Sequence, residues 1–127
     1  MKNKFCVLKD LTNEATVESR FVDKLLDDLG FLPPEVKLKS SLRELKVGKG
    51  SKSALYKPDY AIMSSGMPTL IVDAKSTTVN IYEYEQQCSS YCLEINKAFD
   101  HNPVKYYLLT NGVKTSLWAP RITGFLT

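Results

Sequence analysis

The sequence predicts a mixed α/β sandwich, a central mixed β-sheet flanked by helices, with elements in the order α-β-β-β-α-β-β. Three observations predict it. Two segments, residues 13–29 and 81–99, place apolar side chains at helical spacing. The segments between and after them are alternating or β-branched apolar runs. Turn chemistry, including Ser64-Ser65-Gly66 and Asn111-Gly112, separates those runs.

Thr12 or Asn13 caps the first helix, and Glu14 sits in its first turn, where the helix dipole favours a carboxylate. Val17, Phe21, Leu25, Leu26 and Leu29 form its apolar stripe, and Gly30 ends it. Pro33-Pro34 forbids continuation. Val36 and Leu38 alternate with Lys37 and Lys39 as a half-exposed strand, which Leu42, Leu45 and Val47 extend after a bend. Residues 48–53 (GKGSKS) form a flexible basic loop. Residues 55–63 read as one strand with Pro58 inside it, hence an edge strand or a bulge. Residues 64–68 turn the chain. The β-branched run 69–74 (TLIVDA) is a buried strand pairing back on its predecessor. A long helix follows over 81–99 and breaks at His101-Asn102-Pro103. Residues 104–109 and 113–118 close the fold as a hairpin around Asn111-Gly112.

A chain of 127 residues holds one domain with a modest core, so residues 1–127 read as a single unit. An apolar fraction of 43% with 24% charged residues argues against disorder. The net charge of +3 permits a polyanionic partner without demanding one. No run reaches the roughly 18 apolar residues that a membrane span needs, and Met1–Asp10 has no signal-peptide apolar region. Cys6, Cys88 and Cys92 make no disulfide framework, so a reducing, cytoplasmic setting is expected. Cys88 and Cys92 read as buried thiols, because no second Cys/His pair completes a metal site.

The chemistry concentrates in Lys57-Pro58-Asp59-Tyr60 and Asp73-Ala74-Lys75. Two strands joined by a tight turn carry Asp59 and Asp73 near the same sheet edge. Asp73 and Lys75, separated by one residue, share a strand face. A buried strand seldom carries a carboxylate and an ammonium on one face unless they are paired or employed. This set suits phosphodiester hydrolysis. Asp59 and Asp73, with the backbone carbonyl of Ala74, are expected to hold Mg²⁺, for which Mn²⁺ substitutes, against the scissile phosphate. Lys75 is expected to orient or deprotonate the attacking water and to offset developing charge.

Pro58-Asp59, an apolar hairpin and Asp73-Ala74-Lys75 together resemble the PD-(D/E)XK nuclease superfamily. Many members carry an acid on the first helix that points at the metal. Glu14 and Glu18 both qualify, and Glu18 is preferred because it adjoins Val17 and Phe21. Gln87-Cys88-Ser89-Ser90-Tyr91 is similar to the Q-x-x-x-Y motif of the motor (R) subunit of type I restriction enzymes. Gln87 and Tyr91 lie one helical turn apart and, in that motif, contact phosphate or steady the lysine. Residues 13–18 (NEATVE), Leu25-Leu26, Leu29-Gly30-Phe31 and residues 109–112 (LTNG) extend the resemblance to that subunit's N-terminal nuclease domain, over residues 13–118.

The resemblance implies a Mg²⁺-dependent endonuclease domain of a type I restriction-modification system acting on double-stranded DNA. Its partners would be modification and specificity subunits, and ATP would act only through a motor region that this sequence lacks. The chain is then the N-terminal part of a larger R subunit or a free-standing relative. Lys49 and Lys52 either sit on a mobile loop or contact the DNA backbone. Two rival readings keep the same fold: a stand-alone nuclease in repair or defence, and a non-catalytic module docking DNA or a subunit.

Overall fold

A computed structural model describes residues 4–48 and 50–120, apart from the side chain of Lys52. Lys49, the Lys52 side chain and residues 121–127 therefore lie outside the described residues, and with them the proposed loop contacts to DNA. The architecture is a mixed α/β fold. A five-stranded sheet in the order β1-β4-β5-β6-β7 is accompanied by a separate β2-β3 hairpin. The strands are β1 Val36–Leu38, β2 Leu45–Val47, β3 Ala54–Tyr56, β4 Tyr60–Ser64, β5 Met67–Ala74, β6 Tyr106–Thr110 and β7 Thr115–Trp118. Among the described residues no helix is long and apolar enough to cross a membrane.

The first helix spans residues 14–28. Asn13 caps it by accepting the Thr16 backbone N–H at 2.9 Å, while Thr16 Oγ1 accepts the Asn13 N–H at 3.0 Å. Its middle, Glu18–Val22, is π-helical, and the Asp23 N–H reaches back to the Glu18 carbonyl. The wider turn shifts the helix phase, so that the adjacent Phe21 and Val22 are both buried along with Val17 and Leu26. These side chains pack on Tyr60, Ile62, Val72, Ala74 and Leu108 across one face of the sheet.

The second helix, Glu85–Asn96, is preceded by a 3-10 turn, Ile81–Tyr84, that Asn80 caps. It covers the other face: Cys88, Tyr91 and Cys92 pack on Ala61, Ile71, Tyr107 and Leu109. Both thiols are buried there. The helix stops at Asn96, short of the expected Phe99, because the Asn96 side chain bridges the backbone N–H and C=O of Val104 at 2.9 and 3.2 Å. The crossover places β6 parallel to β5, with Asp73 opposite Leu109.

Two expected strands are each divided in two. The segment expected over 55–63 breaks around Pro58, which lacks the N–H that a ladder needs. Its first part, β3, pairs with β2, and its second part, β4, pairs with β1 and β5. The segment expected to run from Val36 to Val47 breaks at a 3-10 turn, Lys39–Ser41, which separates β1 from β2. The expected turn over 64–68 tightens to Ser65-Gly66, at φ +52° and +78°. Positive φ at both positions is the two-residue hairpin geometry that matches strand twist. Met67 and Pro68 join the strand, with Pro68 beside a register shift at Ile62/Met63.

The Asn111-Gly112 turn is a four-residue loop. Asn111 Oδ1 accepts the N–H groups of Val113 and Lys114 at 2.9 and 2.7 Å, and its amide donates to the Val79 carbonyl at 2.8 Å. Gly112 sits at φ +86°, and a Cβ there would lie 2.6 Å from Leu11 Cδ1. Gly112→Ala should therefore lower stability by about 1–2 kcal/mol, from left-handed strain plus displacement of Leu11. A urea titration against wild type checks this; an unchanged midpoint would show that the loop relaxes freely.

Candidate metal centre

The site forms where three elements converge at one end of the sheet. Antiparallel pairing sets Tyr60 opposite Val72, with the Asp59 N–H donating to the Val72 carbonyl at 3.2 Å. Asp59 at the mouth of β4 and Asp73 near the end of β5 are thereby neighbours. Both are buried, at 3% and 2% exposure. Burying two carboxylates side by side costs several kcal/mol unless hydrogen bonds and counter-charges answer them.

Each acid is held differently. Asp59 Oδ2 accepts the backbone N–H of Ala74 at 2.8 Å, and its Oδ1 meets the Lys39 ammonium at 2.7 Å. Asp73 Oδ2 accepts the Tyr56 hydroxyl at 2.5 Å and lies 3.3 Å from Lys75 Nζ. Lys75 is mostly buried, and its ammonium sits 4.1 Å above the Tyr84 ring centroid. A cation over an aromatic face gains roughly 1–2 kcal/mol when partly desolvated. The Lys75 N–H donates to the Thr110 carbonyl at 2.8 Å, which fixes the chain just past β5.

The first helix brings Glu14 and Glu18, one turn apart, against Asp59. One carboxylate oxygen from each of the three lies within 4.8 Å of the others. Both first-helix acids therefore face the site, so the preference for Glu18 over Glu14 does not separate them by position. The Tyr60 hydroxyl donates to Asp23 Oδ1 at 2.8 Å and approaches the Glu18 carbonyl at 3.5 Å, tying the π-turn to β4.

Like charges and burial act together on these acids. Burial, then the Asp59 charge, pushes the Glu18 carboxyl up to about 7; Glu14 and Asp23 add to this and Lys39 opposes it. Burial, then Asp59, raises the Asp73 carboxyl well above the usual carboxylate range, against the pull of Lys75 and Tyr56. Burial above all raises the Tyr56 phenol, so it remains a protonated donor to Asp73.

Carboxylate oxygens are the hard donors that Mg²⁺ or Mn²⁺ prefers, and this cluster is offset by a nearby cation, Lys39. The donors brought together are Asp59, Glu18 and Glu14. Asp73 adjoins Asp59 but turns its Oδ2 to Tyr56 and Lys75. The backbone of Ala74, expected to offer its carbonyl, contributes its N–H to Asp59.

The second-helix pair is placed further back. Tyr91 is buried, stacks edge-on against Tyr56 at 5.8 Å, and donates its hydroxyl to the Arg43 carbonyl at 2.7 Å. Gln87 is half-buried on the same helix. Within the described contacts Lys75 is steadied by Asp73 and Tyr84. Sequence reasoning gave no site role to Lys39 or Tyr56, and took Tyr84 as a helix-face residue, by default packed in the core, rather than a partner of Lys75. The alternation Val36-Lys37-Leu38-Lys39 held a signal for Lys39, since pairing β1 with β4 sets Leu38 opposite Tyr60 and hence Lys39 beside Asp59.

No family model matches the chain, and no curated protein or solved structure is significantly similar to it.

Glu18 also yields a stability prediction. Its folded pKa of about 7 exceeds the ordinary 4.5. The folded state therefore holds the proton more tightly, and this contribution is full below pH 4.5 and lost as pH rises through 7. In chelator, wild type should lose stability over that window. Glu18→Gln should flatten the loss and raise the thermal midpoint at pH 8, because it removes one member of the like-charge cluster. Thermal melts across pH 4–8 test this, and a Glu18→Gln profile parallel to wild type would contradict it.

Proposed function

We propose that this chain is a divalent-metal-dependent nuclease domain of the PD-(D/E)XK type that hydrolyses DNA phosphodiester bonds. One observation carries the reading: Asp59, Asp73 and Lys75 meet at a single sheet end, with Glu14 and Glu18 arriving there from the first helix. The core topology supports it as well, with an antiparallel β4-β5 hairpin, a helical crossover, and β6 parallel to β5.

Asp59, with Glu18 and Glu14, would hold Mg²⁺, and Asp73 would complete the acidic wall behind it. When bound, such an ion supplies Lewis-acid polarisation and water activation. The remaining work belongs to the chain. Lys75, fixed between Asp73 and the Tyr84 ring, presents an ammonium that orients a water by hydrogen bonding and offsets charge on a phosphoryl oxygen. Tyr56 holds Asp73 so that its carboxylate keeps facing the lysine. The Ala74 N–H orients Asp59 through Oδ2, and Oδ1 carries the Lys39 ammonium.

The substrate in this reading is double-stranded DNA, engaged through its phosphates. The sequence resemblance over residues 13–118 supports a place in a type I restriction system, alongside modification and specificity subunits and an ATP-driven motor. A plasmid-nicking assay tests the catalytic reading. Nicking that requires Mg²⁺ or Mn²⁺ and stops in EDTA is the expected result. Saturable metal binding without nicking would indicate a nuclease domain that depends on its motor. A folded chain that neither binds divalent ions nor cuts would remove the proposal.

A further inference from the structure

Lys39 touches the site, yet the chemistry above does not use it. It lies on the 3-10 turn after β1, with its side chain half exposed, yet its ammonium is seated 2.7 Å from the buried Asp59 Oδ1. That is the carboxylate oxygen not already committed to the Ala74 N–H. The charges of Glu18 and Glu14 also bear on this ammonium, and those two acids share the three-carboxylate cluster with Asp59. The ammonium therefore sits on the one buried carboxylate of the cluster, for which a bound metal ion would have to compete. Ammonium and a divalent ion cannot share the same carboxylate oxygen without strong repulsion.

We propose that Lys39 is a built-in counter-cation, seated on Asp59 in the metal-free protein and displaced when a divalent ion binds. The inference rests on the cluster being a metal seat. The lysine answers the buried acids until the ion arrives, since a buried carboxylate left unpaired is costly. Its four-carbon stem and half-exposed position let the head swing to solvent without unfolding β1. Metal affinity is thereby set by competition with a tethered monovalent charge. The displaced ammonium stays beside the site, where a substrate phosphate is a natural partner.

Isothermal titration with Mn²⁺ compares wild type, Lys39→Met and Lys39→Arg, each first verified as folded by circular dichroism. Removing the competitor should tighten Mn²⁺ binding about tenfold in Lys39→Met, the scale of one partly screened charge pair. Lys39→Arg, which keeps the charge, should stay near wild type. Equal or weaker binding in Lys39→Met, or equal tightening in both variants, would overturn the proposal. Should Lys39→Met not fold, the wild type answers alone: saturating Mg²⁺ should shift the Lys39 ¹³Cε resonance, and an unmoved resonance overturns the displacement. Binding in wild type that is lost in Asp59→Asn but unchanged in Lys39→Met defeats this inference and spares the metal seat. Absence of Mn²⁺ binding in every variant defeats both.

Discussion

Lys75→Ala should lower DNA nicking by about 10²–10⁴-fold, the usual contribution of a positioned proton-transfer or charge-stabilising group. Divalent-ion affinity should stay within a few fold of wild type. The split follows from geometry. Lys75 touches Asp73 Oδ2 and the Tyr84 ring, whereas the three-carboxylate cluster is made by Asp59, Glu18 and Glu14. In the proposed reaction, removing the ammonium would take a charge away from the phosphate but leave that cluster standing. Lys75→Arg should recover little, because a planar guanidinium cannot occupy the compact position between the carboxylate and the ring. Nicking rates at saturating Mn²⁺, with titration calorimetry on the same samples, measure both quantities. An undiminished rate in Lys75→Ala would assign the lysine a purely structural role.

Asp59→Asn should abolish measurable Mn²⁺ binding, a loss of at least about a hundredfold, and nicking with it. Asp59 is where every thread of the site crosses: the Ala74 N–H, the Lys39 ammonium, the neighbouring Asp73, and the two first-helix acids. Asparagine preserves the shape and can still accept the Ala74 N–H, so the fold should persist. Its neutral oxygen is a poor ligand for a hard cation. The same change removes the charge that helps raise Glu18 and Asp73, so the metal-free variant should be at least as stable as wild type. Wild-type metal affinity in a folded Asp59→Asn would move the seat elsewhere.

The hairpin and its acids were legible because strand period and turn chemistry act locally. Once Ser65-Gly66 closes the turn, Asp59 and Asp73 must lie near one edge, and Asp73 and Lys75 must share a face. The helix over 14–28 was legible from its cap and from Val17, Phe21 and Leu26 of the expected stripe, whereas Leu29, also expected there, is exposed at the helix end. The π-turn of this helix was not legible, because that turn answers a tertiary demand, the joint burial of the adjacent Phe21 and Val22. Pro58 pointed to an edge strand or a bulge; which partner each half would choose depends on β2 and on β1, the latter more than twenty residues before β4. The same non-local pairing hid Lys39, twenty residues before Asp59, and Tyr56, whose hydroxyl reaches Asp73 only because β3 turns away from β4. Tyr91 is a site residue by the resemblance of residues 87–91 to the Q-x-x-x-Y motif. Its partner, the Arg43 carbonyl, lies in a connection whose path follows from the β2-β3 hairpin.

The most direct test of the central claim is to locate a bound ion, by soaking crystals of the protein in Mn²⁺ and collecting anomalous scattering at the manganese edge. The account predicts one strong peak bounded by the carboxylates of Asp59, Glu18 and Glu14, with the Lys39 ammonium moved off Asp59. A well-ordered site with no peak, or a peak only at surface acids away from Asp59, would contradict it.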